Sequence, residues 1–506
     1  MRRGLILSMA ILAASPLLAL DGEPAMHDPS TVVLDNGKFY VYATGNGLPV
    51  AVSDDGWIWR RAGTLMQALP GGRPGPDVLA RGGNNTWAPD VIRSGDRYFV
   101  YYSAPGTQPK AAIGLLVGRT LDAASPDYKW EDGGPVVWSD GVEDSNAIDP
   151  GLFRDPSGSL WLTYGSYFGY IRLVELNPKT GRRLSPDRTP VNIAVNGEAS
   201  IIIFRDGWYY LLLTHGSCCA GANSSYNIRM GRSRKVTGPF VDHTGIDMLQ
   251  GGGKLFLGST TRAVGAGHFG LLDLGDGVQK FSLHFEADLD RGGSSVLDIR
   301  PLLWRDGWPV AGENFKPGTY QIESVRTGTA LEMAVQGQPV GGARGRGGRG
   351  AAGPPAGRGG GRGEGRGGDP IPDQDAAQVM ASWPAGPVDA RMTPYMLQAQ
   401  QKWAITPVTN AGGYPGSPYF KIAIAGTDRV LSATAERELV VLAAFTGRDE
   451  QLWRIDQLAD GTYRVMPKAV PNTGEPLALS AVGASMPTLA PFRTDSDRQR
   501  WLFKAP

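Results

Sequence analysis

Apolar and polar positions alternate along most of the first 310 residues, in short runs separated by Gly-containing turns. Alternation at period two is what a half-buried strand requires, and a Gly turn between two such runs makes a hairpin. Five segments follow one plan: a small motif, an apolar run, a Gly turn and an aromatic-rich run. They are DPSTVVLDNGKFYVYATG from Asp28, APDVIRSGDRYFVYYSA from Ala88, DPGLFRDPSGSLWLTYGS from Asp149, EASIIIFRDGWYYLLLTHGS from Glu198 and HFGLLDLGDGVQKFSLHFEA from His268. In four of them the turn glycine (Gly37, Gly158, Gly207, Gly277) falls nine residues after the first residue, and in the second Gly95 falls seven after. Long helical periodicity is nearly absent before residue 310.

Repeats of about 50 to 70 residues that each supply a small antiparallel sheet describe the blades of a propeller, so an all-β, five-bladed ring is predicted. In such a ring the innermost strands start at one height around the axis. The residues placed there are Asp28, Ala88, Asp149, Glu198 and His268, and three of them are carboxylic acids. A single Asp-Pro step usually only starts a turn. Three acids at equivalent positions point to chemistry. Glycoside hydrolysis needs a proton donor for the leaving oxygen and a second carboxylate that attacks or activates water. A third acid close to the donor would raise its pKa by like-charge repulsion.

Charge narrows the choice of partner. The stretch 341 to 368 reads GGARGRGGRGAAGPPAGRGGGRGEGRGG and resembles an RNA-binding Arg-Gly tract. It holds six Arg and one Glu of a chain total of 50 Lys+Arg and 49 Asp+Glu, so the remainder is net acidic. A polyanion-binding domain would carry its own basic surface. The tract also has no aromatic residue on which bases could stack, and specific nucleic-acid binding is not expected. The opening MRRGLILSMAILAASPLLAL reads as a signal peptide over 1 to 20, with cleavage near Ala19 or Leu20; the predicted location is secreted or periplasmic, with no membrane attachment afterwards. The only cysteines, Cys218 and Cys219, exclude a disulfide framework and a Cys-rich zinc site. They are either two reduced thiols or, after export, a vicinal disulfide beside a sugar subsite.

The stretches HDPS at 27 to 30, WAPDV at 87 to 91, SNAIDPGLF at 145 to 153, GEAS at 197 to 200 and CCAGANSSYNIRMGRS at 218 to 233, with DIRPLLWRDGWPV at 298 to 310, resemble the family 43 glycoside hydrolases. Within them the match is to the endo-1,5-α-L-arabinanases, over roughly residues 25 to 312. The resemblance implies a monomeric propeller that hydrolyses α-1,5-arabinofuranosyl bonds in arabinan, or in arabinose-containing pectic polysaccharide, with inversion. It implies Asp28 as general base, Glu198 as general acid and Asp149 as the group that orients and tunes that acid. Inversion sets the base and acid about 6.5 to 9.5 Å apart. Residues matching Trp87 stack on a furanose ring, and those matching Asn146 and Ser166 lie near the sugar. The His of a matching Gly-His step helps hold a hydrated calcium. His268 would act through water, since calcium prefers oxygen ligands, or else it is an ordinary core histidine. The alternatives are an exo-acting arabinofuranosidase of the same fold and a non-catalytic sugar-binding protein.

After Gly312 a second repeat begins. GTYQIES at 318 to 324 and GTYRVMP at 461 to 467 open similar units, and QKW at 401 to 403, QLW at 451 to 453 and QRW at 499 to 501 close them. Three Gln-x-Trp endings resemble the ricin-type β-trefoil. Lectins of that kind place Asp after an early Leu in each repeat, where this chain has Glu332, Ser432 and Ser480. The module either binds sugar or packs on the propeller as a structural partner. The expected domains are therefore a propeller at 21 to 312 and a trefoil at 313 to 506, with a disordered Gly/Arg-rich insertion near 337 to 375 in its first lobe.

Overall fold

The computed structural model describes residues 19 to 142, 145 to 335, 380 to 483 and 485 to 506. Most of the signal-peptide expectation, and the whole of the Gly/Arg-rich insertion expected near 337 to 375, lie outside them. Leu20, placed at the end of the leader from sequence, is buried with Trp57 and Trp59 in the core of blade 1.

Five antiparallel sheets of the first 311 residues form a five-bladed propeller. Their innermost strands are Val33–Asp35, Trp87–Ser94, Gly151–Arg154, Glu198–Arg205 and Ala263–Asp273. Each hairpin forms where the alternation and the turn glycine place it. Two turns show why the sequence needs those residues: Asn36–Gly37 (φ 49° and 79°) and Asp206–Gly207 (φ 51° and 77°) are left-handed at both central positions. That geometry matches the twist of the flanking strands and favours Asn-Gly and Asp-Gly.

The blades are cemented by apolar clusters at their mutual faces, such as Tyr42, Tyr98, Val100 and Tyr102 between blades 1 and 2. Asp90 of the WAPDV stretch is a structural staple. It is buried, and its two oxygens accept the N–H of Thr31 in blade 1 (3.0 Å) and of Leu152 in blade 3 (2.8 Å). The segment before blade 1 closes the ring: Asp21–Gly22 runs parallel to Ile58–Trp59, while Ala25 bridges Val296 of blade 5.

The C-terminal module is also all-β, a ten-stranded sheet with two added two-stranded hairpins around one core. Its three Gln-x-Trp units are built alike. Trp403, Trp453 and Trp501 are fully buried, and their indole N–H groups donate to the carbonyls of Leu331, Leu431 and Leu479 at 2.8, 3.1 and 3.0 Å. The preceding Gln side chains accept the N–H of Met396 (2.7 Å), Thr446 (2.8 Å) and Arg493 (2.8 Å). Glu332, Ser432 and Ser480 are all buried. Glu332 is occupied by Arg391, Thr393 and Gln401.

The module sits against the hairpin-turn ends of blades 1 and 5, away from Asp28 and His268. Gly413 N–H donates to Asp55 (2.8 Å) and Trp304 N–H to Ala459 O (2.8 Å). Lys280 of blade 5, buried, donates to Pro415 O and lies 3.9 Å from Asp456, which Arg454 (2.6 Å) and Arg464 (3.0 Å) also hold.

Candidate active site

One backbone feature repeats around the axis. Asp28, Ala88, Asp149, Ala199 and His268 all have positive φ, between 40° and 59°. Non-glycine residues adopt this region at a cost, and such strain concentrates at functional sites. Each of their N–H groups is held by a side chain of the preceding blade: Asp28 by His284 (2.8 Å), Ala88 by Thr44 (2.7 Å), Asp149 by Ser103 (2.8 Å), Ala199 by Asp149 (3.2 Å) and His268 by Thr214 (3.0 Å). The blades are thus latched in sequence around the ring.

This pattern corrects the register read from turn spacing. The residue of blade 4 equivalent to Asp28 and Asp149 is Ala199, and Glu198 precedes it. The β-bulge between Glu198 and Ile201 matches those after Trp87 and Gly267, so Glu198 aligns with Trp87 and Gly267, and Ala199 with Ala88 and His268; the turn glycine Gly207 therefore falls one residue closer to the axial position than Gly277 does in blade 5. Glu198 still reaches the same electrostatic neighbourhood, because Asp28, His268 and His27 all act on its carboxyl.

Asp28 is surrounded by donors. Thr44 donates to Oδ2 (2.7 Å), His27 Nδ1 lies 2.9 Å from Oδ2, and His268 Nδ1 lies 3.3 Å from Oδ1. Burial opposes its ionisation, but His27 and His268 outweigh burial and hold its pKa well below the carboxylate range. The other nitrogen of His27, Nε2, meets Glu286 Oε1 at 2.8 Å. Burial works against the imidazolium there too, yet Asp28 and Glu286 carry its pKa up to about 10. His284 stacks on His27 at 4.6 Å; burial and the neighbouring cation depress its pKa. A neutral His284 that accepts the Asp28 N–H at Nδ1 carries its proton on Nε2, which faces Glu286 Oε1 at 3.3 Å.

The other two acids are pushed the opposite way. Burial raises the pKa of Asp149 well above its usual value, and the nearby Glu198 and Asp28 raise it further. Burial also raises Glu198; a hydrogen bond from the Tyr226 hydroxyl works against that shift, and Asp28 reinforces it. Three neighbouring carboxyls are therefore split into one held ionised and two inclined to keep a proton. An ionised carboxylate can take a proton from water, and a protonated one can deliver a proton to a leaving oxygen.

The remaining predicted residues fall around this centre. Asn146 is fully buried and donates to Ser166 Oγ at 3.1 Å, while Asn146 Oδ1 and Ser145 Oγ have no partner among the described residues. Trp87, half-buried, precedes the left-handed Ala88 whose N–H meets Thr44. Cys218 and Cys219 are joined as a vicinal disulfide, and Cys219 N–H donates to Glu286 Oε2 at 2.9 Å. For calcium, His268 offers one imidazole, and the two oxygens of Asp28 already face Thr44, His27 and His268. Direct ligation needs six to eight oxygens, so this donor set fits only an ion held mainly through water.

Sequence reading missed His27 as a functional group, along with His284, Glu286 and Tyr226. His27 lies in the quoted HDPS and Tyr226 in NSSYNIR, so motif position was a signal. His284 and Glu286 lie past the hairpin of blade 5, on the outgoing strand, and only the closure of blade 5 onto blade 1 brings them to Asp28.

A propeller funnel that sets one carboxyl held ionised against two whose pKa burial raises is equipment for splitting a glycosidic bond. The comparisons give that class its name: the model of glycosyl hydrolases family 43 matches residues 22–309, and the chain belongs to that family. It is 33% identical over 326 residues to the extracellular exo-α-(1→5)-L-arabinofuranosidase ArbA of Cellvibrio japonicus, covering 60% of this chain and 91% of that protein. It is 31% identical over 317 residues to the extracellular endo-α-(1→5)-L-arabinanase 1 of Bacillus subtilis, covering 60% and 93%. Among solved structures, the Cellvibrio cellulosa α-L-arabinanase complexed with arabinohexaose superposes with a TM-score of 0.52 at 31% identity, over 57% of this chain and 95% of that one. Among the described residues no helix is long and apolar enough to cross a membrane.

Proposed function

We propose that this glycoside hydrolase cleaves α-1,5-linked arabinofuranosyl bonds in arabinan with inversion, as a monomer outside the cytoplasm. The observation that carries the reading is the split of the three carboxyls. Asp28, kept ionised between His27 and His268, takes a proton from a water that attacks the anomeric carbon. Glu198, inclined to stay protonated, gives its proton to the departing oxygen. Asp149 is the tuning group, since its carboxyl accepts the N–H of Ala199 beside Glu198 and its own pKa is raised by Glu198 and Asp28. Trp87 supplies a stacking face, and Asn146 with Ser166 supplies polar contacts to the ring. Substrate and location are supported by the names of the two similar relatives, both extracellular and both acting at α-(1→5) linkages.

Linear arabinan with products followed by chromatography and proton NMR tests this directly. First-formed β-arabinose, or oligomers with a β reducing end, support inversion, whereas the α anomer would refute it. Mixed oligomers mean endo action; arabinose alone means the exo reading, which the Cellvibrio japonicus relative's name favours. Binding without turnover would leave only the sugar-binding alternative.

His268 is the residue that would hold a hydrated calcium, whose positive charge would add electrostatic support near Asp28. An ion bound by the native state raises Tm by mass action. Chelation should therefore lower Tm reversibly, and an unchanged Tm with no metal by elemental analysis removes the ion. For the C-terminal module we favour a trefoil acting as a structural partner. The threefold Trp-to-Leu pattern supports the fold, and the buried Glu332, Ser432 and Ser480 leave the usual lectin position closed.

A further inference from the structure

We propose that Glu286 is a positioning residue for this reaction: it fixes the ring of His27 against Asp28, and the Cys218–Cys219 turn in its place fixes Glu286. The inference rests on the reading of Asp28 as the base. Glu286 lies on the second strand of blade 5, 4% exposed. An uncompensated buried carboxylate is costly, and the partners that compensate this one lead toward the site. Oε1 meets His27 Nε2 at 2.8 Å and His284 Nε2 at 3.3 Å, and Oε2 accepts the N–H of Cys219 at 2.9 Å.

His27 therefore spans two carboxylates, with Nδ1 on Asp28 and Nε2 on Glu286. One imidazole held between two carboxylates, by a hydrogen bond at Nε2 and an ion-pair contact at Nδ1, cannot rotate without losing one of them, which is how a carboxylate orients a catalytic histidine elsewhere. Here the order is inverted, because the group being oriented is the carboxylate Asp28. The surroundings leave Glu286 little room to move. A Cβ added at Gly265 would come within 2.8 Å of its Cβ, and one at Gly267 within 3.2 Å of His284 Nε2 and 2.8 Å of the Tyr226 ring.

The disulfide turn holds the far oxygen. Cys219 is left-handed (φ 62°), and the segment is closed at its base by Ser217 N–H to Ser225 Oγ (2.9 Å) and Ser224 Oγ to Ser217 O (2.8 Å). The vicinal bond locks the orientation of the Cys219 N–H that Glu286 accepts.

The test measures kcat and KM on linear arabinan for Glu286→Gln, His27→Gln, the pair together, and Cys218→Ser with Cys219→Ser, with Asp28→Asn as control and Tm for each. Glu286→Gln should lower kcat about 10-fold to 100-fold with KM nearly unchanged, a fraction of what losing the base itself costs. The His27 and Glu286 pair should cost no more than the worse single change, since the two act as one unit. The Cys variant should lose about 3-fold to 10-fold in kcat, and nothing further in the Glu286→Gln background. A merely structural role would instead give additive losses that track Tm. Full turnover in Glu286→Gln beside an inactive Asp28→Asn overturns the relay and leaves the base intact. Turnover in Asp28→Asn overturns the underlying reading. If Glu286→Gln does not fold, the Cys variant decides, and an unchanged kcat there refutes the proposal.

Discussion

The strand Gln279–Asp288 carries buried charge at both ends, and the two ends behave differently. Near its start, Lys280 enters the contact with the C-terminal module, where a single central carboxylate, Asp456, is shared among Lys280, Arg454 and Arg464. Burial opposes the ionised form of Asp456, but the three cations hold its pKa well down. Four and six residues later, His284 and Glu286 enter the funnel, where four carboxyls crowd around one charged histidine. The docking end is rich in cations and its carboxylate is fully ionised. The funnel is rich in acids, and two of them are forced toward the protonated form. Charge at the docking end is neutralised locally, whereas the funnel's is left unbalanced, the condition under which protons can move.

The largest expected effect comes from removing the imbalance. Asp28→Asn and Glu198→Gln should each lower arabinan turnover by about 100-fold to 10,000-fold, the usual size of a lost general acid or base. Glu198→Gln should not lower Tm, because it replaces a carboxyl whose ionised form burial disfavours with a neutral side chain of the same shape. Near-normal kcat in Glu198→Gln on unactivated arabinan would withdraw the acid assignment.

At the docking end the signs reverse, with stability affected and chemistry spared. Arg464 is buried, contacts Asp456 through two nitrogens at 3.0 Å and reaches Asp276 at 2.5 Å. Arg464→Met should destabilise by roughly 3 kcal/mol, as breaking a buried pair from one side does, with kcat per folded molecule unchanged. A denaturation curve coincident with the parent's would show that the network is idle.

Lys280 sharpens the contrast through pH. Burial pulls its pKa from the ordinary 10.5 to about 8, more than Asp456 restores. Below pH 8 the folded state bears the cost of a buried charge. Between about 8 and 10.5 it gives up the proton while the unfolded chain keeps it, so stability from this group rises with pH in that window. Lys280→Met should therefore be more stable than the parent at pH 7, by up to about 2 kcal/mol once the lost bond to Pro415 is allowed for. That advantage should fade by pH 10. A difference in stability that does not vary from pH 7 to 10 would mean the lysine is not desolvated as the fold suggests.

How much of this was legible in the sequence follows from distance along the chain. The hairpins were readable because alternation and turn glycines are local, and three acids could be gathered because a repeat converts separation into equivalence. The axial position of blade 4 falls on Ala199 and not on Glu198, since the spacing from that position to the turn glycine is not the same in every blade. Glu286 lies inside the fifth repeat segment, yet nothing local marks it, because its partner His27 lies 259 residues away. The same holds for Lys280, whose neighbours come from a separate module. Interactions made by closing the ring, or by docking one domain on another, leave no periodic trace.

The smallest expected effect concerns the Arg-Gly tract, which belongs to neither end of that strand. In the second and third units of the module, the closing Trp lies 22 residues after the Leu carbonyl it bonds; in the first unit the separation is 72. Yet the bond lengths are 3.1, 3.0 and 2.8 Å, so the first lobe closes as tightly with the added residues as the others do without them. Lengthening the chain between two ends whose contacts are unaltered changes closure entropy only logarithmically, by less than about 1 kcal/mol per doubling. Deleting residues 341 to 368 should therefore leave Tm and the hydrolysis of neutral linear arabinan within error of the parent. Six arginines can still attract acidic polysaccharide at low salt, and that attraction should vanish at physiological ionic strength. Activity that collapses with the deletion, or sequence-selective RNA binding that survives in physiological salt, would mean the tract has a role that the shared geometry of the three lobes does not suggest.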